Sequence, residues 1–284
     1  MSKDLRPPPF VPTTVLHRRP RRKNSPAFSS AARWLFHCCR TDGLSCQNVR
    51  ASGGSSDNKD LHVISDIRYL LFDLDGTLTD SKHGILRSII YALQKLGRVP
   101  NEADNLDWCL GPPLVGTFAT LLETDDPALI DRAISLYRER YTTIGLWENA
   151  VYPGVPEMLA TLKQQGYHLF VATSKPIAYA ADILRHFELM EYFDQAYGSE
   201  LNGELANKGD LIRHILAQEA LRPEQALMTG DRRHDIEGAK LNGLRTVGVT
   251  YGYGSVEELT LAGADHFVAE PAAMVALLDT LATY

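Results

Sequence analysis

The sequence predicts an α/β fold with a doubly wound parallel sheet and a small helical insertion. From Tyr152 onwards, apolar runs typical of buried strands alternate with amphipathic helical patterns. Such alternation is typical of parallel sheets with right-handed crossovers. An earlier apolar run at Ile67–Asp73 predicts a first core strand, whereas residues 82–149 after it show helical spacing and no convincing strand.

Each expected element has its own local signal. The signals in the insertion are, in order, the helical spacing of Ile85, Ile89, Leu93 and Leu96, a break at Gly111-Pro112-Pro113, a helix at Leu114–Leu122, and a helix from Pro127 to about Ile144. The later strands are expected at Tyr167–Ala172, near Phe193–Gly198, and at Ala226–Thr229, Arg245–Thr250 and His266–Ala269. The helices between them are expected from Val155 to near Gly166 and at Ile177–Phe187, Lys208–Leu216 and Ile236–Leu241, with a further one at the end of the chain.

These elements divide the chain into three parts. Residues 65–81 together with 150–284 form the expected α/β core, and residues 82–149 form a helical cap inserted into it. Residues 1–64 are rich in Pro, Ser and Arg and show no sustained period, so we expect a disordered basic extension. Its interpretation stays open among an organellar transit peptide, a basic tail for an anionic surface, and a dispensable extension from an upstream start codon.

Charge and composition narrow the function classes. Residues 1–60 carry 11 Lys and Arg against 4 Asp and Glu, whereas the remaining chain carries 18 against 31. The acidic body argues against binding a nucleic-acid backbone. No apolar stretch approaches the length of a membrane-spanning helix. Only Cys109 lies in the body, so no disulfide framework is expected, and a reducing, cytoplasmic location fits.

Polar clusters follow the ends of three expected strands. The first strand is followed by Asp73 and Asp75, the second by Thr173, Ser174 and Lys175, and a later one by Asp231 and Asp235. Because the carboxyl ends of parallel strands share one edge of the sheet, these clusters should converge there.

The convergent groups suit phosphoryl chemistry. Carboxylates at two strand ends are suited to a hard cation such as Mg²⁺, and a hydroxyl near a helix start is suited to a phosphate. Lys208 would add a positive charge at the start of a helix.

Four segments, taken in order, resemble the motifs of the haloacid dehalogenase superfamily. They are Asp73-Leu74-Asp75-Gly76-Thr77-Leu78-Thr79, then Thr173, then Lys208, then Gly230-Asp231-Arg232-Arg233-His234-Asp235. The resemblance covers residues 66–284 and implies a Rossmann-like core with a small helical cap, as in the subgroup containing phosphoglycolate phosphatase. The segments that are most similar to its bacterial 5′-nucleotidase-like branch are Leu110–Leu114, Val151–Gly154, Ala172–Pro176 and Tyr251–Ser255.

The resemblance implies a covalent mechanism. Asp73 would attack phosphorus and carry an aspartyl-phosphate, and Asp75 would protonate the leaving oxygen and then help to activate water. Thr173 would bind a phosphoryl oxygen, and Lys208 would neutralise the nucleophile and the phosphate.

The remaining implied site residues are of two kinds. Those assisting phosphate binding through the backbone lie near Gly76, Thr77 and Ser174. Those holding Mg²⁺ are the Asp73 carboxylate, the Asp75 carbonyl and the Asp231 carboxylate, with Asp235 in direct or supporting contact.

The expected function is a Mg²⁺-dependent phosphomonoester hydrolase acting on a small phosphorylated metabolite. A nucleoside 5′-monophosphate is the leading substrate, and 2-phosphoglycolate is the alternative. A sugar-phosphate mutase keeps the same residues, and a non-catalytic binding protein would not need all of them. Monomer and homodimer stay open.

Three weaker signals complete the expectations. Lys175 either touches substrate or lines the site, and Gly111-Pro112-Pro113 is expected to be a cap loop facing the site. Trp108 and Trp147 are expected in the core of the cap rather than as nucleobase contacts.

Overall fold

The computed structural model describes residues 67–98 and 105–282. All of these residues belong to one compact unit of the chain. The expected disordered extension at residues 1–64 lies outside the described residues, so the expectations for it stay predictions.

A six-stranded parallel sheet lies at the centre of the fold. Its strands are β1 (Tyr69–Phe72), β4 (His168–Pro176), β5 (Gln195–Ser199), β6 (Ala226–Gly230), β7 (Arg245–Val249) and β8 (His266–Val268), and a separate pair is formed by β2 (Thr79–Asp80) and β3 (Ala150–Val151). The order across the large sheet is β5-β4-β1-β6-β7-β8, and every neighbouring pair is parallel. The predicted α/β fold class is confirmed.

Helices cover both faces of this sheet. They are α4 (Val155–Gln164), α5 (Ile177–His186), α6 (Lys208–Gln218), α7 (Arg233–Leu241), α8 (Val256–Leu261) and α9 (Ala272–Ala282). On β1, Leu71 belongs to one apolar cluster with residues of α6 and α7, whereas Leu70 and Phe72 belong to another with residues of α4, α5 and α9. Successive strand residues point to opposite faces, so an uninterrupted apolar run is what a sheet covered on both faces requires.

The strand β4 differs from its predicted form. It begins at His168 rather than Tyr167, and it continues past Ala172 to Pro176. Its pairing with β5 shifts register between Ala172 and Pro176, where Pro176 lies opposite Ser199. This second contact with β5 keeps the backbone extended through residues 173–176, which lie beyond the predicted end of the strand at Ala172.

Residues between β2 and β3 form the expected helical insertion. Its helices are α1 (Lys82–Lys95), α2 (Leu114–Leu122) and α3 (Pro127–Arg140), with a short 3₁₀ turn at Asp107–Cys109 and a π-helical turn at Tyr141–Gly145. The described part of this insertion contains no strand, and α2 has the predicted bounds. Because β2 and β3 pair antiparallel, the chain leaves and re-enters the core side by side.

The π-helical turn packs closely on α1. A Cβ on Gly145 would lie 2.7 Å from Ser88 Oγ, and a Cβ on Gly84 would overlap with the Gly145 carbonyl. Gly84 and Gly145 have no side chains and therefore allow the two backbones to approach. A Cβ on Gly145 would also lie 2.8 Å from Cδ2 of Tyr141 at the start of the turn.

The prediction for the two tryptophans was wrong. Trp108 and Trp147 are 40% and 45% exposed. Trp147 follows the π-helical turn, and its ring lies 4.8 Å from that of His186 on α5. It therefore covers a surface of the core helix instead of filling the interior of the insertion.

No helix in the described ranges combines the length and the apolar character needed to cross a membrane.

Candidate active site

The three polar clusters converge at the carboxyl edge of the sheet. Strand β1 lies between β4 and β6, so Asp73 at the end of β1 is flanked by Thr173 on β4 and by Asp231 after β6. The backbone N–H of Asp73 donates to the Thr229 carbonyl at 2.9 Å, which continues the β1–β6 pairing to the site. Gly76 then turns the chain with a φ of +83°. The convergence predicted from the sequence is therefore present.

Asp73, Asp231 and Asp235 form a compact acidic cluster, with ligand oxygens all within 4.8 Å of one another. Asp231 and Asp235 are 0% and 1% exposed. Burial, followed by repulsion from Asp235 and Asp73, raises the pKa of Asp231 well above its usual value. Burial also raises the pKa of Asp73, against the opposing charge of Lys208.

Lys208 provides the cation of this cluster. Its Nζ lies 3.0 Å from Asp73 Oδ1 and 2.7 Å from Asp235 Oδ1, and it donates to the Ala172 carbonyl at 2.7 Å. Lys208 is the first residue of α6, whose N-terminus is capped by the Asn207 side chain. Burial alone would lower the pKa of Lys208, but the two carboxylates hold it above its usual value.

The charges of the cluster fit a divalent cation. Three carboxylates face one ammonium, so the group carries an excess of negative charge in a buried position. Carboxylate oxygens are the donors that hard cations such as Mg²⁺ prefer. Asp73, Asp231 and Asp235 are therefore the side chains that would hold such an ion.

Asp75 lies beside this cluster and is held through one of its oxygens. Its Oδ1 accepts a hydrogen bond from Ser81 Oγ at 2.6 Å and lies 3.0 Å from Lys175 Nζ. Lys175 Nζ also donates to the hydroxyl of Tyr141 on the insertion. Asp75 Oδ2 has no hydrogen-bond partner among the residues that the structure describes.

The other predicted site residues lie close by. Thr173 Oγ1 accepts a hydrogen bond from the backbone N–H of Lys175 at 3.2 Å, and the Ser174 carbonyl accepts one from Ser199 Oγ at 2.8 Å. Thr77 Oγ1 donates to Asp231 Oδ1 at 3.4 Å, so this hydroxyl supports the acidic cluster.

The loop that follows β7 supports Asp231. The backbone N–H of Tyr253 donates to Asp231 Oδ2 at 2.8 Å. The Tyr253 hydroxyl donates to Asp80 Oδ1 at 3.1 Å and accepts from the Ser81 N–H at 2.8 Å. Residues Tyr251–Gly254 thus connect the acidic cluster to the start of the insertion. The pair of glycines in Gly252-Tyr253-Gly254 was the available signal, since closely packed backbones require residues without side chains.

A cavity of about 310 Å³ opens beside Asp73 and Asp75. Its core side contains Thr173, Ser174 and Lys175. Its insertion side contains the expected loop Gly111-Pro112-Pro113 together with side chains such as Ile134, Tyr137, Arg138 and Tyr141. The predicted position of the Gly-Pro-Pro loop facing the site is confirmed.

Comparison with known proteins agrees with this geometry. A family model described as haloacid dehalogenase-like hydrolase matches residues 70–249. The chain belongs to this family. The matched range contains the strand ends that converge on Asp73 together with the whole insertion.

Curated relatives of this hydrolase carry several names. A 5′-nucleotidase of Pseudomonas aeruginosa is 44% identical over 216 residues, covering 75% of this chain and 97% of the relative. A phosphoglycolate phosphatase of Aliivibrio fischeri is 30% identical over 207 residues, covering 70% of this chain and 90% of the relative. A protein named tyrosine-protein kinase PtkA of Mycobacterium tuberculosis is 38% identical over 188 residues, covering 66% of this chain and 64% of the relative.

A solved structure is also similar. The crystal structure of a predicted phosphatase from Clostridium acetobutylicum has a TM-score of 0.72 and 41% identity, and the match covers 78% of this chain and all of that one. This family hydrolase is therefore a phosphatase, and as such it acts on small phosphorylated substrates.

Proposed function

We propose that this phosphatase is a Mg²⁺-dependent phosphomonoester hydrolase that works through an aspartyl-phosphate on Asp73. The observation that supports this best is the position of Asp73, which lies at a cavity and is surrounded by Asp231, Asp235 and Lys208. Bound Mg²⁺ would neutralise the carboxylates and the phosphate oxygens, and Asp73, Asp231, Asp235 and the Asp75 carbonyl would hold it.

Asp73 is oriented as a nucleophile. Its Oδ1 accepts a hydrogen bond from the Leu74 N–H at 2.7 Å and lies 3.0 Å from Lys208 Nζ. These contacts fix one oxygen and leave Oδ2 to attack phosphorus, in line with the leaving oxygen. Lys208 and the Thr173 hydroxyl would stabilise the charge that spreads over the phosphoryl oxygens.

Asp75 would move the proton. Because Ser81 and Lys175 both contact Oδ1, the other oxygen is available to protonate the leaving alcohol. The same oxygen would then take a proton from the water that hydrolyses the aspartyl-phosphate. Residues 82–149 would act as the cap that excludes other water during these steps.

A nucleoside 5′-monophosphate is the proposed substrate. The cavity is lined by the rings of Tyr137, Tyr141 and Tyr179 and by apolar side chains such as Ile85 and Ile134. Such a lining favours a ring-containing leaving group over a two-carbon carboxylate. The 5′-nucleotidase relative at 44% identity supports the same assignment.

2-Phosphoglycolate is the second candidate. Its carboxylate would need a cation in the cavity, and Lys175 and Arg138 both line it. The phosphoglycolate phosphatase of Aliivibrio fischeri supports this alternative at 30% identity. A cytoplasmic location stays a prediction.

Phosphate release from p-nitrophenyl phosphate, with Mg²⁺ and after chelation, tests the chemistry. We expect Mg²⁺-dependent release, and Asp73→Asn should reduce kcat by about 10³-fold or more because the nucleophile is lost. The control is Asp210→Asn, which removes an exposed carboxylate on α6 and should retain activity. Activity that survives in Asp73→Asn would contradict the covalent mechanism.

A substrate panel then separates the candidates. Nucleoside 5′-monophosphates should give the highest kcat/KM, and preference for 2-phosphoglycolate would favour the second candidate. Consumption of a sugar phosphate without free phosphate would indicate a mutase. No turnover of any compound would favour a binding protein.

A further inference from the structure

The insertion contributes a buried tyrosine that reaches the acid–base carboxylate through a lysine. Tyr141 is 2% exposed and lies at the start of the π-helical turn after α3. Lys175 Nζ donates to its hydroxyl and lies 3.0 Å from Asp75 Oδ1. The three side chains therefore form a continuous chain from the insertion to the core.

The position of Tyr141 is strongly determined. Its ring stacks on that of Tyr137 at 5.0 Å with 15° between the planes, and the ring of Tyr179 meets it edge-on at 6.0 Å. Lys175 Nζ also lies 4.9 Å from the centre of the Tyr141 ring. A side chain held on several sides can fix the position of a flexible lysine, which otherwise has many rotamers.

The contact between Lys175 and Asp75 depends on the Tyr141 hydroxyl. Its side chain is 6% exposed, and its ammonium group contacts Asp75 on one side and the Tyr141 hydroxyl on the other. Without that hydroxyl, the ammonium group would lose a hydrogen-bond acceptor inside the protein and would have to move to find another. Asp75 Oδ1 would then be held only by Ser81 Oγ, and the proton-transferring oxygen would be less well placed.

We propose that Tyr141 is a positioning residue for the reaction, which acts through Lys175 to orient the carboxylate of Asp75 for proton transfer to the leaving group. The inference rests on the proposed function, in which Asp75 is the general acid. It makes the insertion part of the acid–base machinery, in addition to covering the cavity.

The leaving group provides a specific test. A nitrophenolate leaves without much protonation, whereas the 5′-oxygen of a nucleoside needs a proton. We therefore compare kcat/KM for p-nitrophenyl phosphate and for a nucleoside 5′-monophosphate, because kcat/KM reports the steps up to release of the leaving group. Tyr141→Phe should lower the value for the nucleotide by about 10–100-fold and the value for the aryl phosphate by less than about 3-fold.

Tyr91→Phe is the matched control. It removes a hydroxyl from α1 of the same insertion, and this hydroxyl donates to Glu139 Oε1 away from the residues that line the cavity. The ratio of the two kcat/KM values should stay within about 3-fold of wild type. An equal change of this ratio in both variants would overturn the proposal.

A double-mutant cycle tests whether Tyr141 acts through Lys175. Lys175→Met should change the leaving-group ratio at least as much as Tyr141→Phe, and the double variant should show no further change. If the two substitutions changed the leaving-group ratio by independent factors that multiply in the double variant, the proposal would be overturned, because Tyr141 would then contact the substrate itself. Far-ultraviolet circular dichroism and Tm confirm that each variant is folded.

Different results would contradict the phosphatase mechanism and the role of Tyr141. If wild type releases no phosphate from either substrate, the proposed function is wrong. If wild type is active and Tyr141→Phe keeps the wild-type ratio, only the positioning role is wrong.

Discussion

Gly252 allows the backbone of the loop after β7 to lie close to Asp231, so Gly252→Ala is a severe test of the site. An added Cβ would lie 2.7 Å from Asp231 Oδ2 and would overlap with the Gly76 carbonyl oxygen and the Asp231 Cβ. Ordinary contacts of this kind begin at 3.4 Å, so the contact with Asp231 Oδ2 alone requires a shift of about 0.7 Å, and the two overlapping contacts require more. Neither neighbour can yield easily, since one is backbone and the other is fully buried.

The expected cost follows from overpacking. A forced shift in a packed interior costs about 1–3 kcal/mol, which corresponds to a decrease of about 2–12 °C in Tm for a unit of this size. A displacement near 1 Å in a catalytic arrangement lowers the rate by about 10²-fold. We therefore expect Gly252→Ala to lower both Tm and kcat/KM. Differential scanning fluorimetry and phosphate release measure the two effects.

Gly116→Ala is the matched control for this substitution. Gly116 lies within α2, and a Cβ there would meet nothing within 4 Å. Alanine is favoured over glycine inside a helix by about 0.8–1 kcal/mol, so Tm should rise by about 2–4 °C with activity unchanged. Wild-type Tm and kcat/KM in Gly252→Ala would refute the described packing around Asp231.

Two further predictions concern charge. Asp231→Asn should raise Tm without divalent cations, because it removes repulsion within the acidic cluster. In wild type, Mg²⁺ at 100 times its Kd should increase the unfolding free energy by about 2–3 kcal/mol, and Asp231→Asn should abolish this increase. Titration of Tm with Mg²⁺ measures both effects, and an undiminished Mg²⁺ response would contradict the ligand assignment. Hydrogen bonds from Arg140, with further support from Arg87, lower the pKa of Glu148 to about 2. Since the folded-state pKa lies below the unfolded one, this stabilisation is complete above pH 4.5 and is lost as the pH falls towards 2. Glu148→Gln should therefore destabilise the protein by about 0.5–1 kcal/mol at pH 7 and by less at pH 3.5, as measured by urea unfolding, whereas the exposed Glu157→Gln should show no such difference.

The sequence was sufficient to predict the convergence at the sheet edge. Asp73, Thr173 and Asp231 are far apart in the chain, but each follows an apolar run that could only be a buried strand. Once the strands are parallel, their carboxyl ends must lie on one edge, and no side-chain detail is needed. This is why the acidic cluster was predicted and the contacts around it were not.

Contacts that depend on side-chain direction could not be predicted in this way. Lys175 appeared equally suited to substrate contact and to lining the site, since its hydrogen bond to Tyr141 depends on how a π-helical turn packs on α1. The role of Tyr253 depends likewise on a loop after β7 folding back onto Asp231. Periodicity places residues on a face of an element, but it does not bring two distant side chains into contact.

The acidic cluster also links the stability of the fold to its chemistry. Asp231 is completely buried, and its own neighbours in the loops, Gly76 and Gly252, leave no room for it to turn away from Asp73. Lys208 offsets only part of the charge, because it is shared between Asp73 and Asp235. An apolar side chain in place of one of these carboxylates would make the fold more stable. Retaining all of them in one buried place makes physical sense if a cation completes the arrangement, because the repulsion that destabilises the free protein would favour binding of the cation, and the cation would in turn attract a phosphoryl group.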